Sequence, residues 1–113
     1  MNAGELDYLK SKSKQDFEIL KKWTTSVMTP EEAHENLRSL IGTQIQKMLD
    51  SNVKSLLDIL YQTDISEAKV KACFSPDKTS REIGLEMADL YLMRLQQKWS
   101  TRQQFKTDIE GDW

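Results

Sequence analysis

Apolar residues recur at intervals of three or four positions along most of the chain, and this period constrains the fold more than any other feature. Between residues 33 and 60 the pattern keeps one phase through Ala33, Leu37, Leu40, Ile41, Ile45, Met48, Leu49, Val53, Leu56, Leu57 and Leu60. A repeat near 3.6 residues places side chains on one face of an α-helix. Only four glycines and two prolines interrupt 113 residues. The pattern therefore predicts an all-α fold, a small helical bundle of three long helices and one short helix.

The second predicted helix has a clear beginning. Thr29 fits the N-cap, Pro30 fits the first helical position, where no backbone N–H is needed, and Glu32 completes a capping box. Short polar side chains at residues 50–52 compete for backbone hydrogen bonds and could break the helix. Because the apolar period continues beyond them, we predict one long helix over about 30–62 that can bend near residue 51, with a break within this polar segment as the alternative.

The first helix is predicted over about 3–28. Asn2 and Glu5 have the spacing of a capping box, in which each side chain satisfies a backbone N–H. Apolar residues then continue from Leu6 to Val27 at helical intervals, although lysines and serines interrupt that face near its start. An amphipathic helix is therefore expected.

Residues 56–74, LLDILYQTDISEAKVKACF, have the spacing of a helix-turn-helix. Ser66 can cap the second helix of this unit, a short one over 66–74. In a DNA reader the start of that helix contacts bases and phosphates, but here it carries Asp64 and Glu67. We interpret the stretch as a corner between two long helices, with DNA binding as the alternative.

The last helix is apolar around nearly its whole circumference. It is predicted over about 80–105, opened by a capping box of Thr79 and Glu82. A helix of this kind must be covered on several sides, and a second copy could supply part of the cover. We expect one domain over 1–106 and a flexible tail over 107–113. The residues expected to mediate self-association are Leu85, Tyr91, Leu92 and Met93.

Basic residues four positions apart also follow this helix. The stripe consists of Arg94, Lys98, Arg102 and Lys106, with Trp99 and Phe105 alongside. Cations interleaved with aromatic rings can bind nucleic acid, and Lys69 and Lys71 would add contacts. Alternatively the cations complement the helix dipole. A formal charge of −2 and a pI near 5.4 are not typical of nucleic-acid binders, so the expected partner is a second copy or another protein.

Few residues suggest catalysis. Glu31 and His34 have a di-iron ligand spacing, but that site needs two such motifs and His34 is the only histidine. The single cysteine, Cys73, has no disulfide partner and fits a small buried residue. Phosphate-binding, nucleophile-elbow and dinucleotide motifs are missing from the sequence. The sequence therefore gives enzyme activity no support, and an enzyme with a site between helices stays as a third possibility. We expect no cofactor and no metal.

The sequence contains no apolar run of about 18–20 residues, and its beginning, MNAGELDYLKSKSK, has no apolar core of a signal peptide. A cytoplasmic protein without a membrane partner is expected. The predicted core consists of Leu20, Trp23, Leu37, Ile41, Ile45, Leu56, Leu57, Leu60, Val70, Phe74, Ile83, Met87, Leu90 and Leu95.

Two segments, LLDILYQTDISEAKV and MADLYLMRLQQKWSTRQQF, resemble short all-helical bacterial proteins that have no assigned function. The resemblance covers the C-terminal half of the chain. It implies an all-helical fold and brings no activity and no site residues with it.

Overall fold

The computed structural model describes residues 3–23 and 28–112, apart from the side chains of Ile19 and of residues 105–112. Every regular element in this part of the chain is helical, which confirms the all-α class. The elements are α1 (Ala3–Asp16), a 3₁₀ turn (Glu18–Leu20), α2 (Pro30–Ser51), α3 (Val53–Gln62), α4 (Glu67–Cys73) and α5 (Ser80–Asp112). The predicted three long helices and one short helix differ from this arrangement at two breaks.

The first break ends α1 at Asp16, well before the predicted end near residue 28. Phe17 has an extended backbone, with φ −122° and ψ 114°. Its ring meets the edge of the Tyr91 ring, with centroids 5.1 Å apart and planes at 81°. Burial of this aromatic pair outweighs local helix propensity, because a continued helix would point Phe17 elsewhere. The predicted cap Asn2 and the predicted stripe residue Val27 lie outside the described residues.

The second break separates α2 from α3, so the predicted single helix over 30–62 is wrong. Thr29 Oγ1 accepts a hydrogen bond from the Glu32 N–H at 3.1 Å, which confirms the predicted start. At the other end Ser51 Oγ donates to the Lys47 carbonyl at 2.9 Å, and Asn52 leaves the helical conformation with φ −158° and ψ 59°. The short polar side chains at residues 50–52 thus compete with the helix for backbone hydrogen bonds, and α2 ends there.

The starts of α4 and α5 are confirmed. Ser66 Oγ accepts from the Lys69 N–H at 3.3 Å, and Thr79 Oγ1 accepts from the Glu82 N–H at 3.2 Å. At about 1.5 Å per residue, the 33 residues of α5 span about 50 Å, close to the longest molecular dimension of 52 Å. Its helical backbone continues past the predicted end at 105, through the predicted tail as far as Asp112.

The core forms where α2 crosses α5, with α1 packed against both and α4 against α5. Most of the predicted core residues are buried, and Trp23, Leu57, Ile83 and Leu90 are partly buried against them. Phe74 is the exception, with 47% of its surface exposed. Because α4 ends at Cys73, Phe74 has an extended backbone and leaves the buried face of that helix.

Candidate functional site

The candidate site is a shallow apolar groove between α4 and α5. Its volume is about 460 Å³, and its floor and walls are formed by Ala72 and Cys73 from α4 and by Leu90 and Met93 from α5. We call this the α4–α5 groove. Three charged residues complete its lining: Lys69, Glu86 and Asp89.

Met93 forms the edge of the groove and is its most exposed apolar side chain. With 55% of its surface accessible, it is more exposed than any other large hydrophobic residue in the described chain. It also lines a second depression of about 180 Å³ together with Lys69 and Arg94. The two depressions share Leu90 and Met93, so they form one continuous surface along α5.

The acidic residues of the groove are held by cations of the same chain. Glu86 accepts from the Lys78 ammonium at 2.6 Å, which raises the pKa of Lys78. Asp89 receives two hydrogen bonds from the Arg38 guanidinium, at 2.5 Å and 3.1 Å. These carboxylates remain partly accessible, with 43% and 44% of their side-chain surfaces exposed. Their charges are balanced but still at the surface.

The opposite end of the groove is basic. Lys98 pairs with Asp64 at 3.0 Å, and Arg94 donates to the Gln97 amide oxygen at 3.3 Å while lying near Asp64. Lys69 has no carboxylate within ion-pair distance in the described part of the chain. Two cations, Lys98 and Arg94, therefore act on the Asp64 carboxylate, and Lys69 lines the same depression. We call this the basic end of the groove, and we call the other end, where the paired carboxylates of Glu86 and Asp89 stay partly exposed, its acidic end.

Cys73 lies in the wall of the groove but is only 4% exposed. Its Sγ donates to the Lys69 carbonyl at 3.5 Å, and burial, followed by the charge of Glu86, raises the pKa of the thiol. A thiol kept protonated is a poor nucleophile. The structure confirms the predicted buried position of this residue.

The residues predicted for self-association do not lie on one surface. Tyr91 is fully buried and Leu92 is 1% exposed, so their assignment to a partner surface is corrected. Other helices of the same chain cover them, because α1 and α2 pack against the apolar sides of α5. Leu85 is partly buried against Gly42 of α2, with its Cδ2 2.8 Å from a Gly42 β-carbon position. Met93 alone of the four is exposed.

The predicted basic stripe is mostly engaged within the chain. Lys98 pairs with Asp64, Lys71 pairs with Glu67 at 3.1 Å, and the Arg102 guanidinium lies 5.5 Å from the centre of the Tyr8 ring. Arg94 and Lys69 share the basic end of the groove. The Phe105 and Lys106 side chains lie outside the described residues.

A second apolar surface, which sequence analysis missed, lies on α3. Val53 and Tyr61 are each 44% exposed, and the partly buried Leu57 lies between them at helical spacing. We call these three residues the α3 ridge. They stand four apart beside the buried pair Leu56 and Leu60, so their period was visible in the sequence. The rotation of α3 about its own axis decides which of these residues are exposed, and that rotation was not visible in the sequence.

Among the side chains that the structure describes, no three of His, Cys, Asp or Glu lie together as metal ligands would. His34 Nε2 is buried and has no hydrogen-bond partner among the described atoms. No helix of the described chain combines the length and the apolar character needed to cross a bilayer.

Comparison with protein-family models, with curated proteins and with solved structures finds no match to this chain.

Proposed function

We propose that this chain is a small non-enzymatic interaction module of the cytoplasm that self-associates through its last helix, α5. The observation that carries the proposal is Met93, which is 55% exposed at the edge of the α4–α5 groove. A contiguous apolar patch marks a protein-binding surface, and Met93 lines one depression together with Leu90 and Ala72. The proposed contact surface lies on α5, as the sequence analysis expected. It consists of the residues of the α4–α5 groove and does not include Tyr91 and Leu92.

The chemistry of the groove favours binding over catalysis. Its lining is mainly apolar, and its carboxylates already form ion pairs with Lys78 and Arg38. The one potential nucleophile, Cys73, has a raised thiol pKa and donates to a backbone carbonyl. An apolar centre with a charged rim is the usual anatomy of a protein–protein contact.

Light scattering on the purified chain at tens of micromolar tests the proposal. The wild-type protein should have an average mass above the 13.1 kDa of one chain. Met93→Glu should reduce the mass to that of a monomer, because it places a charge on the apolar surface of the contact. A wild-type protein that remains strictly monomeric at this concentration would contradict self-association.

Two control variants separate dissociation from unfolding. Gln15→Glu adds the same charge at an exposed position of α1, outside the groove, and should leave both the mass and the helical circular dichroism unchanged. Tyr91→Glu puts a charge in the core and should abolish the cooperative thermal transition. Met93→Glu must keep wild-type circular dichroism for its effect to count as dissociation.

Nucleic-acid binding is the second candidate, favoured by the juxtaposition of Lys69 and Arg94 in one depression. Binding should weaken steeply with salt, because each phosphate contact releases counterions. Labelled single-stranded and duplex probes at low salt test this function. Lys69→Gln and Arg94→Gln should each weaken a bound complex, and no shift with any probe would exclude the candidate.

A further inference from the structure

We infer that the self-association is head-to-tail, with the α3 ridge of one copy docked in the α4–α5 groove of the next. The inference rests on the proposed self-association and names the segment that occupies the groove. The two surfaces lie on different helices of the same chain. Such a contact is heterologous, so each copy offers one ridge and one groove.

The α3 ridge is short enough to fit along the groove. Val53, Leu57 and Tyr61 follow one line along α3, and the rise from Val53 to Tyr61 is about 12 Å. The groove surface extends along α5 from Glu86 to Gln97, about 16 Å. Tyr61 is suited to anchor the contact, because tyrosine is enriched at the centres of protein interfaces.

The charges beside the ridge complement the two ends of the groove. Lys54 and Asp58 are exposed on α3, one helical turn apart, and neither has an ion-pair partner in the described part of the chain. If α3 docks parallel to α5, Lys54 approaches the acidic end, at Glu86 and Asp89. Asp58 then approaches the basic end of the groove.

The distances along the two helices also agree. About 6 Å of helix axis separates Lys54 from Asp58, and about 7.5 Å separates Asp89 from Arg94. Lys54 and Asp58, which lie beside the ridge, can therefore both meet opposite charges in a single register. The antiparallel orientation would place like charges against each other, which costs binding energy.

A symmetric contact through Met93 would leave the α3 ridge uncovered, since Val53 and Tyr61 lie on a different helix. Head-to-tail docking covers both exposed apolar surfaces and pairs the charges beside them.

Mixing two single variants tests the inference. Tyr61→Glu damages the ridge and leaves the groove intact, whereas Met93→Glu damages the groove and leaves the ridge intact. Each variant alone should be monomeric, with wild-type circular dichroism because both positions are exposed. An equimolar mixture should form a one-to-one heterodimer with twice the 13.1 kDa chain mass, since one intact ridge meets one intact groove.

The outcomes separate this inference from the proposed function. A wild-type protein that is monomeric overturns both. A wild-type assembly that persists unchanged in Tyr61→Glu overturns only head-to-tail docking and leaves self-association through α5 in place. Two monomeric variants that fail to combine also overturn head-to-tail docking, because a symmetric contact cannot be restored by mixing.

Charge exchange provides a second measurement on the same contact. Asp58→Lys should weaken the wild-type assembly at least several-fold, and the double variant Asp58→Lys with Arg94→Glu should recover most of the loss. Sedimentation analysis at low and moderate salt measures both effects. Equal weakening by the single and double variants would contradict the parallel register.

Discussion

The carbonyl oxygen of Gly42 lies 2.6 Å from the position that a β-carbon would take on Gly84. The backbones of α2 and α5 therefore approach so closely at their crossing that no side chain fits at Gly84. Gly42 differs, because the nearest atom to its own β-carbon position is Leu85 Cδ2 at 2.8 Å. That atom is the end of a side chain that can rotate away.

Gly84→Ala should destabilise the fold by about 1–3 kcal/mol, because the added methyl group forces the two helices apart. The loss should appear even though alanine has a helix propensity better than glycine by about 1 kcal/mol. Gly42→Ala should change the free energy of unfolding by less than about 1 kcal/mol. Urea unfolding of both variants measures the difference, and equal effects would contradict the close crossing.

The hydroxyl of Tyr91 donates to Asp16 Oδ2 at 2.5 Å and ties the end of α1 to α5. Tyr91→Phe should cost about 1.5–3 kcal/mol, the range for a hydrogen bond to a charged group. Tyr61→Phe is the matched control, since Tyr61 is 44% exposed and its change should stay within about 0.5 kcal/mol. Thermal or urea unfolding that ranks the two variants in the opposite order would contradict the anchoring role.

The same tyrosine gives the fold an alkaline limit. Burial, followed by the hydrogen bond to Asp16, raises the pKa of Tyr91 far above its ordinary value. A raised pKa in the folded state means that the protonated form stabilises the fold. This stabilisation is complete below the unfolded pKa of about 10 and is lost as pH rises above it. Urea midpoints measured at rising pH should fall above about pH 10 in the wild type and less steeply in Tyr91→Phe.

Asp64 combines a left-handed backbone with an ion pair. Its φ is 64°, and its carboxylate lies 3.0 Å from Lys98 Nζ. Asp64→Ala should be more destabilising than Asp64→Asn or Asp64→Gly, because asparagine and glycine tolerate this backbone region better. Unfolding curves that place Asp64→Ala at or above the other two would contradict a backbone role.

The hydrogen bond and charge of Lys98 lower the pKa of Asp64. A lowered pKa means that the ionised form stabilises the fold, so this contribution is present above the unfolded pKa of about 3.9 and is lost as pH falls through the folded value. An NMR titration of the carboxyl carbon should therefore give a pKa below 3.8. Lys98→Gln should return it towards that value, and no change would contradict the pairing.

Cys73 should react slowly with a thiol reagent in the native protein. Burial raises the pKa of its thiol and also blocks access, so reaction near pH 7 should be at least about tenfold slower than in the urea-unfolded chain. The matched control is Ala72→Cys combined with Cys73→Ala, which moves the thiol to an exposed position of the same helix. That variant should react quickly when folded, and similar rates for both native thiols would contradict the burial.

Local interactions explain why several features could be predicted from the sequence. Thr29, Ser66 and Thr79 each accept the predicted backbone hydrogen bond, because a cap depends only on residues three positions apart. The apolar period likewise identified most of the core, since helical geometry fixes which side chains share a face. The polar segment at residues 50–52 was also visible in the sequence. Whether the helix ends there depended on the competition between its polar side chains and the helix for backbone hydrogen bonds.

Contacts between distant residues explain what the sequence did not reveal. Phe17 leaves the helical pattern because its ring packs on Tyr91, 74 positions away along the chain. The same packing buries Tyr91, which sequence analysis had assigned to a partner surface. The sequence pointed to the whole apolar circumference of α5 as the candidate site. In the described part of the structure only the strip around Met93 is exposed, because the rest of that circumference is covered.

The sequence by itself determined an all-α chain, the starts of α2, α4 and α5, and the apolar faces of its helices, because these follow from interactions within a few residues. Only the tertiary structure decided which apolar faces are covered. The crossing at Gly42 and Gly84 brings α2 onto one side of α5, and the Asp16–Tyr91 hydrogen bond joins the end of α1 to the same helix. The side left uncovered contains Met93, and the rotation of α3 about its own axis leaves Val53 and Tyr61 at the surface.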